Sequence, residues 1–395
     1  MSPHGSEHRY TLTGVVHRIG ISGACYFGLV SWWPMALPLL TARALNRATL
    51  ARQLLLERVS LGPLEASEMV AGLQAQTPTD PYVALWSRLA GFDPDELSRS
   101  IEERKAVRAQ LMRATIHLVT ANDYPLFAGA TRTVLERVFR STPFAKALNG
   151  ADMPRILEVS REALAEQPLT RADLARVLAA VFPGVDGPAM AQAATYSIPV
   201  VQVPPRGLWR RSGAARWALS TEWLGRGPSP HASPDELILR YLAAFGPATA
   251  ADARAWSNLT HLAEVLERLR SRLLVFRDER GRELFDLPDA PRPHPDTEAP
   301  VRFLPEFDNA LLSHADRSRF PGPAQPQWTM GSILVEGVLG GNWKYERTGR
   351  RFEMYARVAV RDRRAIQEVE EEAGRLAAFL AEPGLDHDVA VETIA

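Results

Sequence analysis

From Thr41 onward, apolar residues recur at helical spacing. Leu45, Leu50, Leu54, Leu55 and Val59 fall three to five positions apart with arginines between them, which predicts a helix running to the stop at Gly62-Pro63. The same period predicts helices over 66–73 and 81–89, the second opening on Pro81, whose fixed φ suits a first helical turn. The pattern then changes. In RAQLMRATIHLVTANDY, Met112, Ala114, Ile116 and Leu118 alternate with Arg113, Thr115 and His117, which predicts a half-buried strand whose polar face carries a cation, a hydroxyl and an imidazole. A solvent-facing edge of a hairpin wing would give the same alternation.

The arrangement repeats further on. A helix over 153–166 leads to Thr170, a cap with Asp173 at its third position, then to a helix near 188–196 and two extended runs, VVQVPP and ARWALS. Between those runs, RGLWRRSG holds Trp209, Arg210 and Arg211, a composition suited to a hairpin wing on DNA, although exposed charged hairpins are common without that role. In 233–287, Ser233, Pro234 and Glu236 open one helix, Thr249 to Trp256 and Leu259 to Arg270 form two more, and LLVFRDERGRELFDL turns back at Glu279 to Gly281. Helix, helix, helix, hairpin is the order of a winged helix, and its recurrence indicates tandem copies. After the proline-rich 288–300, VRFLPEFDNALLS, SILVEGVLGGNWKYE and RFEMYARVAV read as strands with one irregular loop, and an acidic helix over 364–380 closes the chain. The expected fold is α+β: an N-terminal extension (1–34), winged-helix units at 35–150, 151–230 and 231–290, and a C-terminal β-rich module (291–395). His17 and Arg18 interrupt the mildly apolar first 34 residues, so neither a membrane span nor a signal peptide is expected there; the segment reads as a loose extension or an over-long gene start, with Met35 as the true beginning.

Composition narrows the chemistry. With 395 residues and 46% hydrophobic content the chain can bury a large core, and its 46 basic residues balance 46 acidic ones, so any nucleic-acid surface must be a local patch. The single cysteine, Cys25, excludes an internal disulfide and a thiolate metal cluster and fits a reducing cytoplasm. His117, His261, His294 and His314 are not at metal-ligand spacing, and GxGxxG, P-loop and GxSxG signatures are missing, so no metal and no cofactor are expected.

The stretch with the most unusual chemistry is MVAGLQAQTPTDP, where Gln74 and Gln76 flank Ala75. If 74–76 run extended, both carboxamides share a face and Ala75 is buried on the other. Such a pair can hold and aim a water, but it cannot remove a proton at neutral pH, so it suits a reaction whose leaving group departs unaided; a plain polar turn is the competing explanation. Two other stretches are candidates. LPEFDNALLSHADRSR carries Asp308, His314, Asp316, Arg317 and Arg319, which fits a capped helix start pinned by salt bridges as well as it fits a site. Gly340 to Lys344 reads as a tight turn bearing Trp343 and Lys344, which either stack on a base and track a backbone or close a hairpin.

The winged-helix repeats, LQAQTPTDPYVALWSRL, LMRATIHLV and LPEFDNALLSHADR together resemble the AlkZ/YcaQ family of bacterial winged-helix DNA glycosylases over roughly residues 40–380. In that family a Gln-apolar-Gln or Gln-apolar-Asp motif lines a concave, positively lined DNA surface, and Gln74-Ala75-Gln76 matches the first version with a small central residue. The resemblance implies a cytoplasmic, monomeric, monofunctional enzyme that acts on double-stranded DNA carrying alkylated purines, without a membrane or an obligate protein partner. Its activity would be excision of cationic N7-alkylguanine, extending to interstrand crosslinks or to self-resistance against an alkylating natural product. Gln74 and Gln76 would be catalytic, with Arg113, Thr115, His117, Arg210, Arg211, Trp343 and Lys344 as DNA contacts. The alternative is a non-enzymatic winged-helix regulator whose helix 259–270 enters a major groove.

Overall fold

Thr41 caps the first helix: its hydroxyl accepts from the Ala44 amide, and the chain runs helical over Ala42–Arg52. The helix stops ten residues short of Gly62 because its leucines serve two cores. Leu50 and Leu55 pack with Leu304, Leu334 and Leu339, whereas Leu54 packs with Ala66, Val70 and Leu85. A continuous helix would put Leu50 and Leu54 on one face; a left-handed Leu54 (φ 55°) parts them. The computed structural model describes residues 37–324, 329–382 and 384–394, so the expectations for 1–34 and Met35 lie outside the described residues.

In chain order, β1 (Leu39–Leu40) precedes that helix. Helix Pro63–Met69, β2 (Leu73–Gln74), helices Asp80–Arg88 and Pro94–Glu102, β3 (Ala106–Gln110), β4 (Ile116–Thr120) and the long helix Tyr124–Arg140 follow. Next come helices Pro143–Ala147 and Met153–Glu166, β5 (Leu169–Thr170), helices Arg171–Val181 and Gly187–Ser197, β6 (Val200–Val203), β7 (Arg216–Leu219) and helix Ser220–Leu224. Helices Pro234–Phe245, Ala250–Ser257 and Leu262–Leu269 lead into β8 (Leu274–Asp278) and β9 (Glu283–Asp286). The C-terminal part holds β10 (Arg302–Leu304), helix Asn309–Leu312, β11 (Gly331–Val335), β12 (Val338–Thr348), β13 (Arg351–Val358), helix Arg363–Leu380 and β14 (Asp386–Thr393).

These strands form a mixed α+β fold with three sheets, ordered β1-β8-β9, β2-β4-β3-β6-β7-β5 and β10-β11-β12-β13-β14. In the six-stranded sheet, Arg108 of β3 stands opposite Gln202 of β6, so hairpins from either side of residue 150 share one ladder. β1 pairs in parallel with β8, which ties the start of the described chain to a hairpin more than 230 residues away. Buried ion pairs add to these ties: Arg88 grips Asp308 through two bonds of 2.9 and 2.8 Å, and Arg52 grips Asp286 through bonds of 2.7 and 2.9 Å. Removing one partner of such a pair strands a buried charge, which typically costs about 3–5 kcal/mol.

Three expectations are corrected. The strand expected over 112–118 is a hairpin: β3 and β4 join through a tight turn in which the Leu111 amide donates to Thr115 O at 3.0 Å, with Arg113 and Ala114 left-handed at φ 56° and 58°. Gly340 to Lys344 lie inside the long strand β12, and the turn is at Glu336-Gly337 (φ 51° and 78°). Glycine is needed at 341 for close approach, since a Cβ there would meet Arg357 O at 2.4 Å. After the last helix the chain adds β14, parallel to β13, where its half-exposed alternation carries little hydrophobic signal.

Candidate active site

β2 is two residues long, and its register sets the site: Leu73 faces Leu118, and Gln74 faces His117. Leu73 and Ala75 turn into the core with Leu54, Ala66 and Leu85, so Gln74 emerges on the other face of the sheet. There its Oε1 accepts from Arg113 Nη2 at 2.5 Å, and the same Nη2 reaches Asn309 Oδ1 at 2.9 Å while Nη1 donates to Trp256 O at 3.0 Å. Asn309 Nδ2 in turn donates to Gly72 O, just before the motif. A guanidinium can only donate, so this contact fixes which end of the Gln74 amide is oxygen. The left-handed Arg113 is a strained conformation for a residue with a Cβ, and three converging acceptors hold it.

The extended run expected across 74–76 ends at Gln74; the chain bends at Gln76, and the two amides take separate partners. Gln76 is exposed, and its Oε1 accepts from the Ile116 amide at 3.2 Å. It stands at the rim of a recess of about 290 Å³ whose lining includes Gln110, Gln202, Arg171, Tyr196 and Trp217. Gln110 comes from β3 and Gln202 from β6, both mostly buried, and each leaves Oε1 without a hydrogen-bond partner in the described protein. The Arg171 guanidinium lies 5.1 Å from the Trp217 ring, and its Nε donates to Thr195 Oγ1 at 3.2 Å. Burial lowers the Arg171 pKa.

The remaining expected contacts are less accessible. His117 is fully buried and cannot touch DNA: its Nδ1 sits 3.1 Å from Thr115 O, and burial, reinforced by Arg113, pushes its pKa down to about 3, so the ring is neutral at physiological pH. Arg113 is committed to protein acceptors, which leaves it badly placed for the phosphate contact expected of it, and burial lowers its pKa to about 10. Half-buried Thr115 donates to Met112 O at 3.1 Å. Trp343 is only 4% exposed, and its Nε1 donates to Leu304 O at 2.8 Å, which removes it as a stacking platform. Lys344 is exposed and holds Glu346 at 2.5 Å. Arg210 donates to the Phe379 and Ala381 carbonyls, and Trp209 lies 4.9 Å from both Tyr82 and Phe379, so the RGLWRRSG linker is docked on the C-terminal helix and does not project as a wing. Arg211 is exposed. Among the described residues no group of His, Cys, Asp and Glu is placed to hold a metal ion, and no helix is long and apolar enough to cross a membrane.

The stretch from just before Gln74 to the docked helix is also what known proteins share. The family model described as DNA glycosylase AlkZ-like matches residues 68–379. The chain belongs to the AlkZ-like DNA glycosylase family. A search of curated proteins finds no match. Among solved structures, the Streptomyces sahachiroi DNA glycosylase AlkZ is similar with a TM-score of 0.65 at 18% identity, over 89% of this chain and 100% of that one, which shows a shared fold.

An AlkZ-like glycosylase works on DNA, and several groups around its amide motif here were not singled out from the sequence. Arg108, buried under Gly207, donates from Nη2 to Ala75 O at 2.6 Å and so clamps the residue between the two glutamines; burial, then Arg206, lowers its pKa to about 10. Asp80 faces Glu306 across a second recess of about 370 Å³ that also includes Thr77, Thr79, Lys344 and Tyr345. Burial, then Glu306, raises the Asp80 pKa to about 8, so it is largely protonated at neutral pH. Asn309 was legible only as part of a polar run, because nothing local to it shows that it shares Arg113 with Gln74.

Proposed function

We propose that the chain hydrolyses the C1′–N9 bond of cationic N7-alkylguanine in double-stranded DNA, with Gln74 and Gln76 steering the water. Alkylation at N7 puts a positive charge on guanine, so the bond breaks with its electron pair going to N9 and the base leaves neutral. The sugar becomes oxocarbenium-like, the water oxygen bonds to C1′, and the surplus proton passes to solvent. Little acid or base help is needed; position and oriented dipoles carry the step.

The observation that supports this most directly is the fixed sense of both amides. Each Oε1 accepts from a donor-only group, Arg113 for Gln74 and the Ile116 amide for Gln76, and each keeps a second lone pair for a water proton. Among the described residues neither amide NH2 has a protein partner. The proposal includes a monofunctional enzyme, because no lysine lines the recess that Gln76 rims and so no amine stands beside the motif to form a Schiff base. A crosslink made through N7 carries the same cationic leaving group, so the same chemistry would unhook it.

We also read helices Pro234–Phe245, Ala250–Ser257 and Leu262–Leu269 with the β8–β9 hairpin as a winged helix, and the β3–β4 and β6–β7 hairpins with their preceding helices as two further copies merged edge to edge. The boundaries 35–150, 151–230, 231–290 and 291–395 follow from that reading.

The test is a duplex oligonucleotide with one N7-methylguanine, incubated with protein and then heated in alkali to cut at abasic sites. Strand cleavage above spontaneous loss is expected, falling roughly 10²–10³-fold when Gln74→Ala and Gln76→Ala are combined. No release, or release untouched by the double substitution, overturns the proposal.

A further inference from the structure

We infer that the recess beside Gln76 receives the departing purine and selects guanine through the unpaired amide oxygens of Gln110 and Gln202. The inference rests on the glycosylase chemistry proposed above and adds the part of the substrate that each side chain would meet.

Position comes first. If Gln76 steers water toward C1′, the base is one bond away from the point of attack, and the recess that Gln76 rims adjoins it. The ladder ties the parts together: the Ile116 amide that holds Gln76 belongs to the residue standing opposite Gln110. Gln202 stands opposite Arg108, two residues before Gln110 on β3, so Gln110 and Gln202 lie on one face of neighbouring strands as a diagonal pair.

The chemistry of the lining then narrows the ligand. Gln110 and Gln202 are 8% and 7% exposed, and a buried acceptor without a donor costs roughly 1–3 kcal/mol, so these oxygens are held at an energetic cost where a ligand could supply the missing protons. Gln110 Nε2 is tied to Ala114 O at 3.1 Å, which fixes the outward sense of that amide. Guanine matches this need better than other bases, because N1–H and the 2-amino group are adjacent donors on one edge, whereas adenine offers an acceptor next to its single amino group. O6, beside N1–H, is an acceptor suited to the Arg171 guanidinium, and Tyr196 and Trp217 provide aromatic surface.

Arg171 has a second effect. It has no ion-pair partner among the described residues, so its charge opposes the positive charge that the alkylated base carries before cleavage. That repulsion is relieved as the charge passes to the sugar, which favours bond breaking over binding. At about 290 Å³ the recess lies just below the roughly 300–1,000 Å³ typical of ligand sites, a size for a single bicyclic base.

The test compares release of 7-methylguanine and 7-methylhypoxanthine, which lacks only the 2-amino donor, from otherwise identical duplexes, each corrected for spontaneous loss. The wild-type protein should release the guanine at least about tenfold faster, a site built around a donor being intolerant of its loss. Gln110→Leu combined with Gln202→Leu should bring the ratio to near one, and Gln202→Glu, which keeps the acceptor, should preserve it. Equal wild-type rates, or a ratio unchanged in the double leucine variant, overturn the recess assignment while leaving the glycosylase reading in place. Release of neither base removes both. The wild-type comparison stands alone should the leucine variant fail to fold.

Discussion

Across β3, β4 and β6 the six-stranded sheet buries Arg108, Gln110, His117 and Gln202, and each keeps a polar atom without a partner in the described protein. The five-stranded sheet is filled differently. Phe303, Ile333, Met354 and Val358 face Val369, Ala373 and Leu376 of the C-terminal helix, the Trp343 indole is hydrogen-bonded, and Arg302, on an edge strand, is among the few buried side chains there that keep an unpaired atom. One sheet spends folding free energy on side chains that protein neighbours leave incompletely satisfied, and the other gains it by packing. Such a concentration of unmet polar groups fits the proposed function, which places ligand chemistry on this sheet. Gln74 and Gln76 hang from the edge of that same sheet through β4.

The contrast can be broken from either side. Phe303→Ala, in the packed sheet, should cost about 3–5 kcal/mol in chemical denaturation while leaving base release per folded molecule unchanged. Gln76→Ala, on the polar side, should do the reverse: release of N7-methylguanine roughly 10²-fold slower, with a melting temperature near that of wild type because the side chain is exposed and surrenders one hydrogen bond. A large melting shift in Gln76→Ala, or lost activity per folded molecule in Phe303→Ala, would show that the two sheets are not separable in this way.

The sequence discloses this division only in part. Local signals survive folding: Thr170 and Ser233 cap the helices expected of them, Thr41 and Thr249 cap the helices expected to begin at them, and the 153–166 helix has the expected bounds. Signals that need a partner do not survive. Periodicity through Arg113 suggested a strand, but the turn there is held by Trp256 and Asn309, residues 143 and 196 positions away. Trp343 and Lys344 looked like an exposed pair because the glycines before them suggested a turn, when those glycines serve close strand packing. The Gln-x-Gln motif stands out in the sequence as a candidate, yet its amides are separated by a bend that alternation could not foresee. Gln110 and Gln202 were invisible, since a buried glutamine in a strand looks like any polar position until the sheet order places it beside another.

Two smaller effects sharpen the comparison. Asp80, with its pKa raised to about 8 by burial and Glu306, is bound to its proton in the native state but loses it near pH 4 when unfolded. Its contribution to stability is therefore present below about pH 4 and is lost as pH rises through 8, so Asp80→Asn should raise the melting temperature by a few degrees at pH 9 and leave it unchanged at pH 4. His117 and His314, both lowered to about 3 by burial, act in the opposite sense: stability is intact above about pH 6.5 and falls as pH drops from there toward 3. A wild-type melting curve that rose steadily on acidification from pH 7 to 5 would contradict the buried histidines.

The smallest expected change is the most direct probe of the polar sheet. Gln202→Leu replaces a buried amide bearing an unpaired carbonyl with an apolar side chain of similar size, on a strand whose neighbours Val201 and Val203 are already in the core. Without ligand, the substitution should stabilise the protein by about 1 kcal/mol, because the desolvation cost of the amide disappears and no protein hydrogen bond to its oxygen is lost. Most buried substitutions destabilise, so a rise in the denaturation midpoint would be informative by its sign alone. If the midpoint falls instead, an ordered water already satisfies Gln202, and that residue no longer distinguishes the six-stranded sheet from the five-stranded one.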